Sequence, residues 1–402
     1  QRPALVLAQA PQTTAFVKVN VVPMTTEEML ENQTVLVEGD RITAIGLADE
    51  VPVPEGAKVI DGNGAYLMPG LADMHTHLSF DPDPDHMSLY LAQGVTTIRN
   101  LSGLPMHLEW RDKVASGQLL GPTLYTSGPA LAGIPADSQW IGMLFRSAVV
   151  LLPILLGLVI WLLAWAVGKF SGQRLPIKQS RRVTLPTFAV LALVGLCLAW
   201  FKVIPISVFT YYLAPTFHIV ETGAEARRAV IQQKAAGYDF IKPYDFLSEE
   251  AYTAAMAEAR TQNMYAVGHI VDEIPLATIL TSGQQEIAHV DELLTFHWIG
   301  YKPPLEKFVE YEVDYAAIPK TVALTKANNV MVVSNLVVDE MVYRGLEDTA
   351  GLLARPEYAV VRPEVLQSWR TKGRFVNWQG QQAYRRQVAQ PFLAALIKAL
   401  HD

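Results

Sequence analysis

The chain has 402 residues, half of them hydrophobic and 18% charged, with a formal net charge of −7. That length points to two or three folding units rather than one small domain, and the acidic balance, with no basic stripe interleaved with aromatics, gives no basis for a nucleic-acid partner. A single cysteine, Cys197, excludes an intrachain disulfide.

Residues 1–14 read as a leader. Pro3 to Ala10, PALVLAQA, resembles the end of a secretory signal peptide, with a small-x-small pattern at Ala8-Gln9-Ala10. Pro11, directly after that site, is unfavourable, and a disordered leader is the competing reading. Residues 15–66 alternate short β-like runs with turns, and Gly39-Asp40 is placed to turn a hairpin between Thr34–Val37 and Arg41–Ile45.

From Leu67 onward, short apolar strands alternate with helical patterns, the signature of a parallel α/β architecture. The predicted strands are Leu71–His77, Thr96–Asn100, Thr123–Ser127, Asp239–Tyr244, Tyr265–Ile270, Glu286–Val290 and Val330–Asn335. Helices are predicted over Ala224–Ala236, Glu249–Thr261 and Pro391–Leu400. This unit occupies residues 67–142 and 214–402.

Between its two parts, residues 143–213 read as an inserted two-helix transmembrane hairpin. The run 148–167, AVVLLPILLGLVIWLLAWAV, carries no charge and has the roughly 20 residues needed to cross a hydrocarbon core. A second, weaker run covers about 183–205 and is interrupted by Lys202. Between them lie five basic residues and no acid. By the positive-inside rule that loop faces the cytoplasm, so the chain is expected in the inner or plasma membrane with its larger unit on the periplasmic or extracytoplasmic side. The bilayer is then a partner through both runs, and Cys197 is membrane-facing or packed.

The chemistry begins at His75-Thr76-His77. Two histidines one residue apart on a strand point to the same face, so both imidazoles can reach one metal ion. In its setting, Pro69-Gly70-Leu71-Ala72-Asp73-Met74-His75-Thr76-His77 resembles the first barrel strand of the amidohydrolase superfamily. The resemblance implies a (β/α)8 TIM barrel, here ending before strand eight, flanked by a small β-sandwich part at 15–66.

It also implies a ligand set. Lys242, in Phe240-Ile241-Lys242-Pro243-Tyr244, matches the fourth-strand lysine that the family carboxylates into an anionic bridge between two divalent metals. His269 and His289 match the histidines ending the fifth and sixth strands. The implied cofactors are two divalent ions, with zinc the usual occupant and manganese, iron or cobalt compatible with the ligand types, and N6-carboxylated Lys242. His86, His107, His218, His297 and His401 are expected at the surface or behind the ligands. The family's catalytic aspartate, from the eighth strand, has no counterpart and is expected beyond Asp402 in a longer protein. The chain as written is therefore not expected to be an efficient hydrolase.

The function this implies is metal-dependent hydrolysis of amide or peptide-like C–N bonds in a dipeptide, N-acyl amino acid or cyclic amide, with membrane tethering. Tyr244 and Arg344 are candidate contacts for a substrate carbonyl or carboxylate. The alternative is a catalytically inactive membrane-anchored metal-binding or scaffolding protein.

Overall fold

The computed structural model describes residues 13–78, 84–135, scattered positions between 151 and 162, 216–302, 310–372 and 380–402. The chain divides into two compact units, Gln1–Asp73 with Asp85–Thr97, and Met74–Pro84 with Ile98–Asp402.

The first unit is built on β1 (Thr13–Val21), β2 (Leu30–Glu38), β3 (Arg41–Leu47), β4 (Lys58–Asp61) and β5 (Tyr66–Leu67). They form one sheet in the order β3-β2-β1-β4, with β5 also pairing β1. Glu38 pairs Arg41, so Gly39-Asp40 turns the hairpin, with Gly39 in the left-handed region at φ 60° where a side chain would be strained. Alternation along the strands buries Val19, Val21 and Val35 in a small core, against which Phe16, Val37 and Leu67 pack.

The second unit carries the predicted succession of strands. These are β6 (Leu71–Thr76), β7 (Val95–Asn100), β8 (Thr123–Thr126), β11 (Phe240–Ile241), β12 (Tyr265–Gly268), β13 (Glu286–Ile287) and β14 (Met331–Val332), with β6 and β7 straddling the division between units. One sheet runs β6-β7-β8 and another β11-β12-β13-β14, the latter with parallel pairings throughout. A parallel bridge from Ser127 to Phe240 joins them. The strands thus follow chain order across an α/β fold.

Helices form where the sequence places caps. Gly223–Ala236 starts at Thr222, whose hydroxyl accepts from Glu225 N at 3.2 Å, and stops at Gly237 with φ 90°. Glu249–Thr261 starts at Ser248, whose hydroxyl accepts from Ala251 N at 3.1 Å. Their inner faces, including Ala226, Val230, Tyr252 and Met256, enter the main core with Ile241, Ala266 and Ile287 from the strands.

A parallel pair not anticipated from the sequence joins β9 (Ala130–Ala132) to β10 (Phe217–Ile219). The two strands nearest the stretch 136–215 are therefore neighbours.

The membrane expectation is corrected. Among the described residues, no helix is long and apolar enough to cross a membrane. The runs 148–167 and 183–205, and the hairpin 143–213 that contains them, lie outside the described residues apart from helical positions at Leu151, Ile154, Leu155, Gly157, Leu158, Val159 and Leu162. Hydropathy measures the length and apolarity of a run, whereas a span also needs one unbroken helix of about 20 residues. With the span goes the basis for a bilayer partner and for an inner-membrane, extracytoplasmic placement. The expected leader, residues 1–14, falls almost wholly on residues 1–12, which are likewise outside the described residues.

Candidate metal centre

Four strand ends supply the cluster. His75 lies near the end of β6 and His77 just beyond it, Lys242 directly follows β11, His269 directly follows β12, and His289 stands two residues past β13. The structure brings the four histidines together. His75 stacks on His77 with centroids 5.3 Å apart, lies 4.4 Å from the His289 ring, and His289 is 4.9 Å from His269. The Nε2 atoms of His75 and His77 approach to 3.3 Å.

Three of the rings are held from behind at Nδ1. His75 Nδ1–H donates to the Ala288 carbonyl at 3.3 Å, and His269 Nδ1–H to Asp245 Oδ1 at 2.8 Å. Asn335 Nδ2–H donates to His289 Nδ1 at 2.7 Å. In neutral His75 and His269 a proton on Nδ1 leaves the lone pair on Nε2, which faces the cluster. Burial is the main reason the rings stay neutral. It pushes His75 down to about 3 and His289 down to about 2, with neighbouring Lys242 and His269 adding to the shift, and it lowers His269 too.

Lys242 is 1% exposed, and its Nζ lies 5.3 Å from the Tyr244 ring centroid. Burial pulls its ammonium down to about 8 against the opposing pull of Glu292 and Asp245. An uncompensated buried ammonium is costly, which favours the neutral amine.

Glu292 belongs with this set and was not singled out in the sequence. The 3₁₀ segment Val290–His297 turns it back so that Oε1 lies 3.6 Å from His269 Nε2 and 4.0 Å from His289 Nε2. The signal was available: His289-x-x-Glu292 is an (i, i+3) pair, which a helical turn places on one face. Its second oxygen accepts from Ile270 N, while Oε1 is buried without a hydrogen-bond partner. Burial holds this carboxyl well above the ordinary range. One ligand atom each from His269, His289 and Glu292 lie within 4.8 Å of one another. Inward-facing Nε2 atoms and an orphaned carboxylate oxygen are a donor set suited to a divalent cation.

Of the two candidate substrate contacts, Tyr244 lies at the cluster, its ring 4.1 Å from that of His269. The structure does not bring Arg344 there. That residue sits on the helix Leu336–Glu347, paired with Glu340 at 2.8 Å on an exposed face, a partner one helical turn away that sequence spacing could have flagged. Among the other histidines, His107 is fully buried and receives Asn100 Nδ2–H at 2.9 Å. Asn100 Oδ1 in turn accepts from Leu78 N at 3.1 Å, next to His77.

The fold and the short sequence matches agree with the ligand pattern. No family model matches the chain. An imidazolonepropionase from Idiomarina loihiensis is 40% identical over 63 residues, 15% of each chain; the match therefore spans a small fraction of this relative's length. Among solved structures, a Xaa-Pro dipeptidase with methionine bound in its active site aligns over 96% of this chain and 84% of its own, with TM-score 0.51 and 15% identity. A prolidase complexed with N-methylphosphonate-L-proline aligns over 97% of this chain and 88% of its own, with TM-score 0.50 and 17% identity. At such identities the structural likeness speaks for the fold. These likenesses agree with the resemblance to the amidohydrolase superfamily carried by the histidines and lysine at successive strand ends.

Proposed function

We propose that the protein is a metal-dependent hydrolase of amide or peptide-like C–N bonds, whose site is held by His75, His77, Lys242, His269 and His289. The observation that carries this reading is the gathering of four histidines at strand ends, with the Nε2 atoms of His269 and His289 turned toward the orphaned Glu292 oxygen. The ordered strands support a (β/α)8 barrel as the framework, with residues 15–66 as a separate β part and the ligands at the strand ends where barrel active sites lie.

His75 and His77 would hold one divalent ion and His269 and His289 a second, zinc being the expected occupant. Lys242, its ammonium destabilised by burial and carboxylated on Nζ, would supply an anionic ligand to both. Bound there, such ions supply Lewis acidity and a water of lowered pKa as nucleophile. The chain's own groups do the rest. Asp245 fixes the orientation of His269, and Tyr244, whose phenol burial keeps protonated, can donate to a substrate carbonyl oxygen. Glu292, beside both inner histidines, is placed to hold and pass a proton. A dipeptide, an N-acyl amino acid or a cyclic amide would each satisfy this arrangement.

The test is elemental analysis of full-length protein together with hydrolysis assays on dipeptides and N-acyl amino acids, with and without added zinc. Stoichiometric metal in wild type that falls in Lys242→Ala is the expected result. Wild type that takes up no metal, or a Lys242→Ala variant with unchanged metal content, overturns the proposal.

A further inference from the structure

Phe246 holds a left-handed backbone at φ 64°. In the second unit the other described non-glycine residues at positive φ are Asn263, Asn329 and Asn335, and asparagine enters that region far more readily than an aromatic residue does. Burial of the ring does not account for the strain, since Phe246 is 46% exposed. A strained residue persists only where its surroundings over-determine it, so the cause lies in the backbone that encloses it.

β9 supplies that constraint. Leu131 N–H donates to the Lys242 carbonyl at 2.8 Å, and the Leu131 carbonyl accepts from Tyr244 N–H at 2.8 Å. One residue past the strand, Gly133 N–H donates to the Asp245 carbonyl at 3.0 Å. Along the other edge of this segment, His269 N–H donates to the Pro243 carbonyl at 3.0 Å. β9 is itself fixed by β10, through Ala130 N–H to the Thr216 carbonyl and Val220 N–H to the Ala132 carbonyl, both at 2.9 Å.

Gly133 is buried, and a Cβ there would fall on the Phe246 carbonyl group, whose backbone atoms cannot turn aside. Its bare backbone therefore admits the Phe246 peptide where any other residue would exclude it. The chain turns left-handed at Phe246 with the Asp245 carbonyl held, and the Asp245 carboxylate stands 2.8 Å from His269 Nδ1. A shift of this turn would move the group that orients the imidazole.

We propose that Gly133 and the left-handed Phe246 form a backbone clamp that sets Asp245 against His269, which makes Gly133 a positioning residue for the metal centre. This rests on the metal-site reading above only for its effect on affinity, because the orientation of His269 can be measured without metal.

The first measurement is nitrogen-15-edited NMR of the histidine side chains in metal-free, full-length protein. Wild type should show a protected Nδ1–H that disappears in His269→Gln. Gly133→Ala should lose this signal or speed its exchange about tenfold or more. Phe246→Gly should keep it, because glycine takes the same φ without strain. The second measurement is zinc affinity by competition with a chromophoric chelator. Gly133→Ala should weaken binding about 10- to 100-fold, the range for a group that orients a ligand. Combined with Asp245→Ala, it should bind no more weakly than Asp245→Ala alone, since both act through one contact. Should Gly133→Ala fail to fold, Phe246→Pro reaches the same turn, with φ fixed near about −65°, and the same outcomes apply. Unchanged signal and affinity in the clamp variants overturn the proposal. So do losses that add to those of Asp245→Ala, the mark of general packing, and so does a Phe246→Gly protein without the signal, in which the ring and not the backbone would hold Asp245. Wild type that takes up no zinc yet shows the protected proton counts against the hydrolase reading and leaves the clamp standing.

Discussion

The second unit holds two polar clusters that differ in where their lone pairs point. The first joins Arg99 of β7 to Glu286 of β13 through two hydrogen bonds, one of 2.8 Å from Nη1 to Oε2. Arg99 Nε–H also donates to the Met74 carbonyl at 2.7 Å, the Tyr265 hydroxyl donates to Glu286 at 3.3 Å, and the guanidinium lies 5.8 Å from the Phe240 ring centroid. Charge meets charge and the donors are spent within the protein. The second cluster, at the strand ends, has its outer nitrogens satisfied and its inner ones aimed at an unpartnered carboxylate oxygen. A closed polar cluster is a brace, whereas an open one is a place for something that is not protein. Burial alone does not separate them; the direction of the unspent lone pairs does.

The largest test of the contrast removes half of the closed cluster. Arg99→Leu leaves Glu286 buried and unpaired and should cost about 3–5 kcal/mol, read by chemical denaturation. Replacing both partners by leucine should recover much of that loss, since no lone charge remains. Should the single and double variants lose stability equally, the pair is not the closed unit described. In the open cluster the main effect should appear in metal affinity instead. Asp245→Asn, which alters the group orienting His269, should weaken metal binding about 10- to 100-fold with little change in the denaturation midpoint of the metal-free protein. A midpoint shift as large as that of Arg99→Leu would make Asp245 a brace as well.

The two clusters were unequally legible in the sequence. His75, His77, Lys242, His269 and His289 could be read because each sits at the end of a short apolar strand, and apolar residues at helical spacing marked the intervening helices. The Arg99–Glu286 pair joins residues 187 positions apart, and no local pattern encodes such a contact. The β9–β10 pair was missed for the same reason, since three-residue strands on either side of a long intervening stretch carry no signal until they meet. Asp245 and Glu292 gained their roles from turns just after ligand residues, each three positions beyond one, Lys242 and His289. The apolar run at 148–167 lies mostly outside the described residues, and among the described residues no helix is long and apolar enough to cross a membrane.

Glu292 offers the finest test, because the open cluster should respond oppositely with and without metal. Burial holds its folded pKa well above the ordinary value of 4.5. The stability that goes with this protonated carboxyl is fully present below 4.5 and is lost as pH rises through the raised folded value, because the folded state then must ionise a buried group. The histidines run the other way. His75 and His289, lowered from 6.5 to about 3 and about 2, contribute stability that is present above 6.5 and is lost as pH falls toward those values, where the unfolded chain takes up protons first. Glu292→Gln removes only the first effect. In chelator-treated protein the variant should therefore be more stable than wild type at pH 8, by about 1–2 kcal/mol for a buried charge relieved, and the gap should close as pH approaches 4.5. Adding zinc at pH 8 should reverse the order, since the carboxylate then has a partner and the amide does not. A gap that ignores pH would mean that Glu292 is not the strained member of the cluster, and a gap that ignores zinc would mean that its free oxygen does not face the metal.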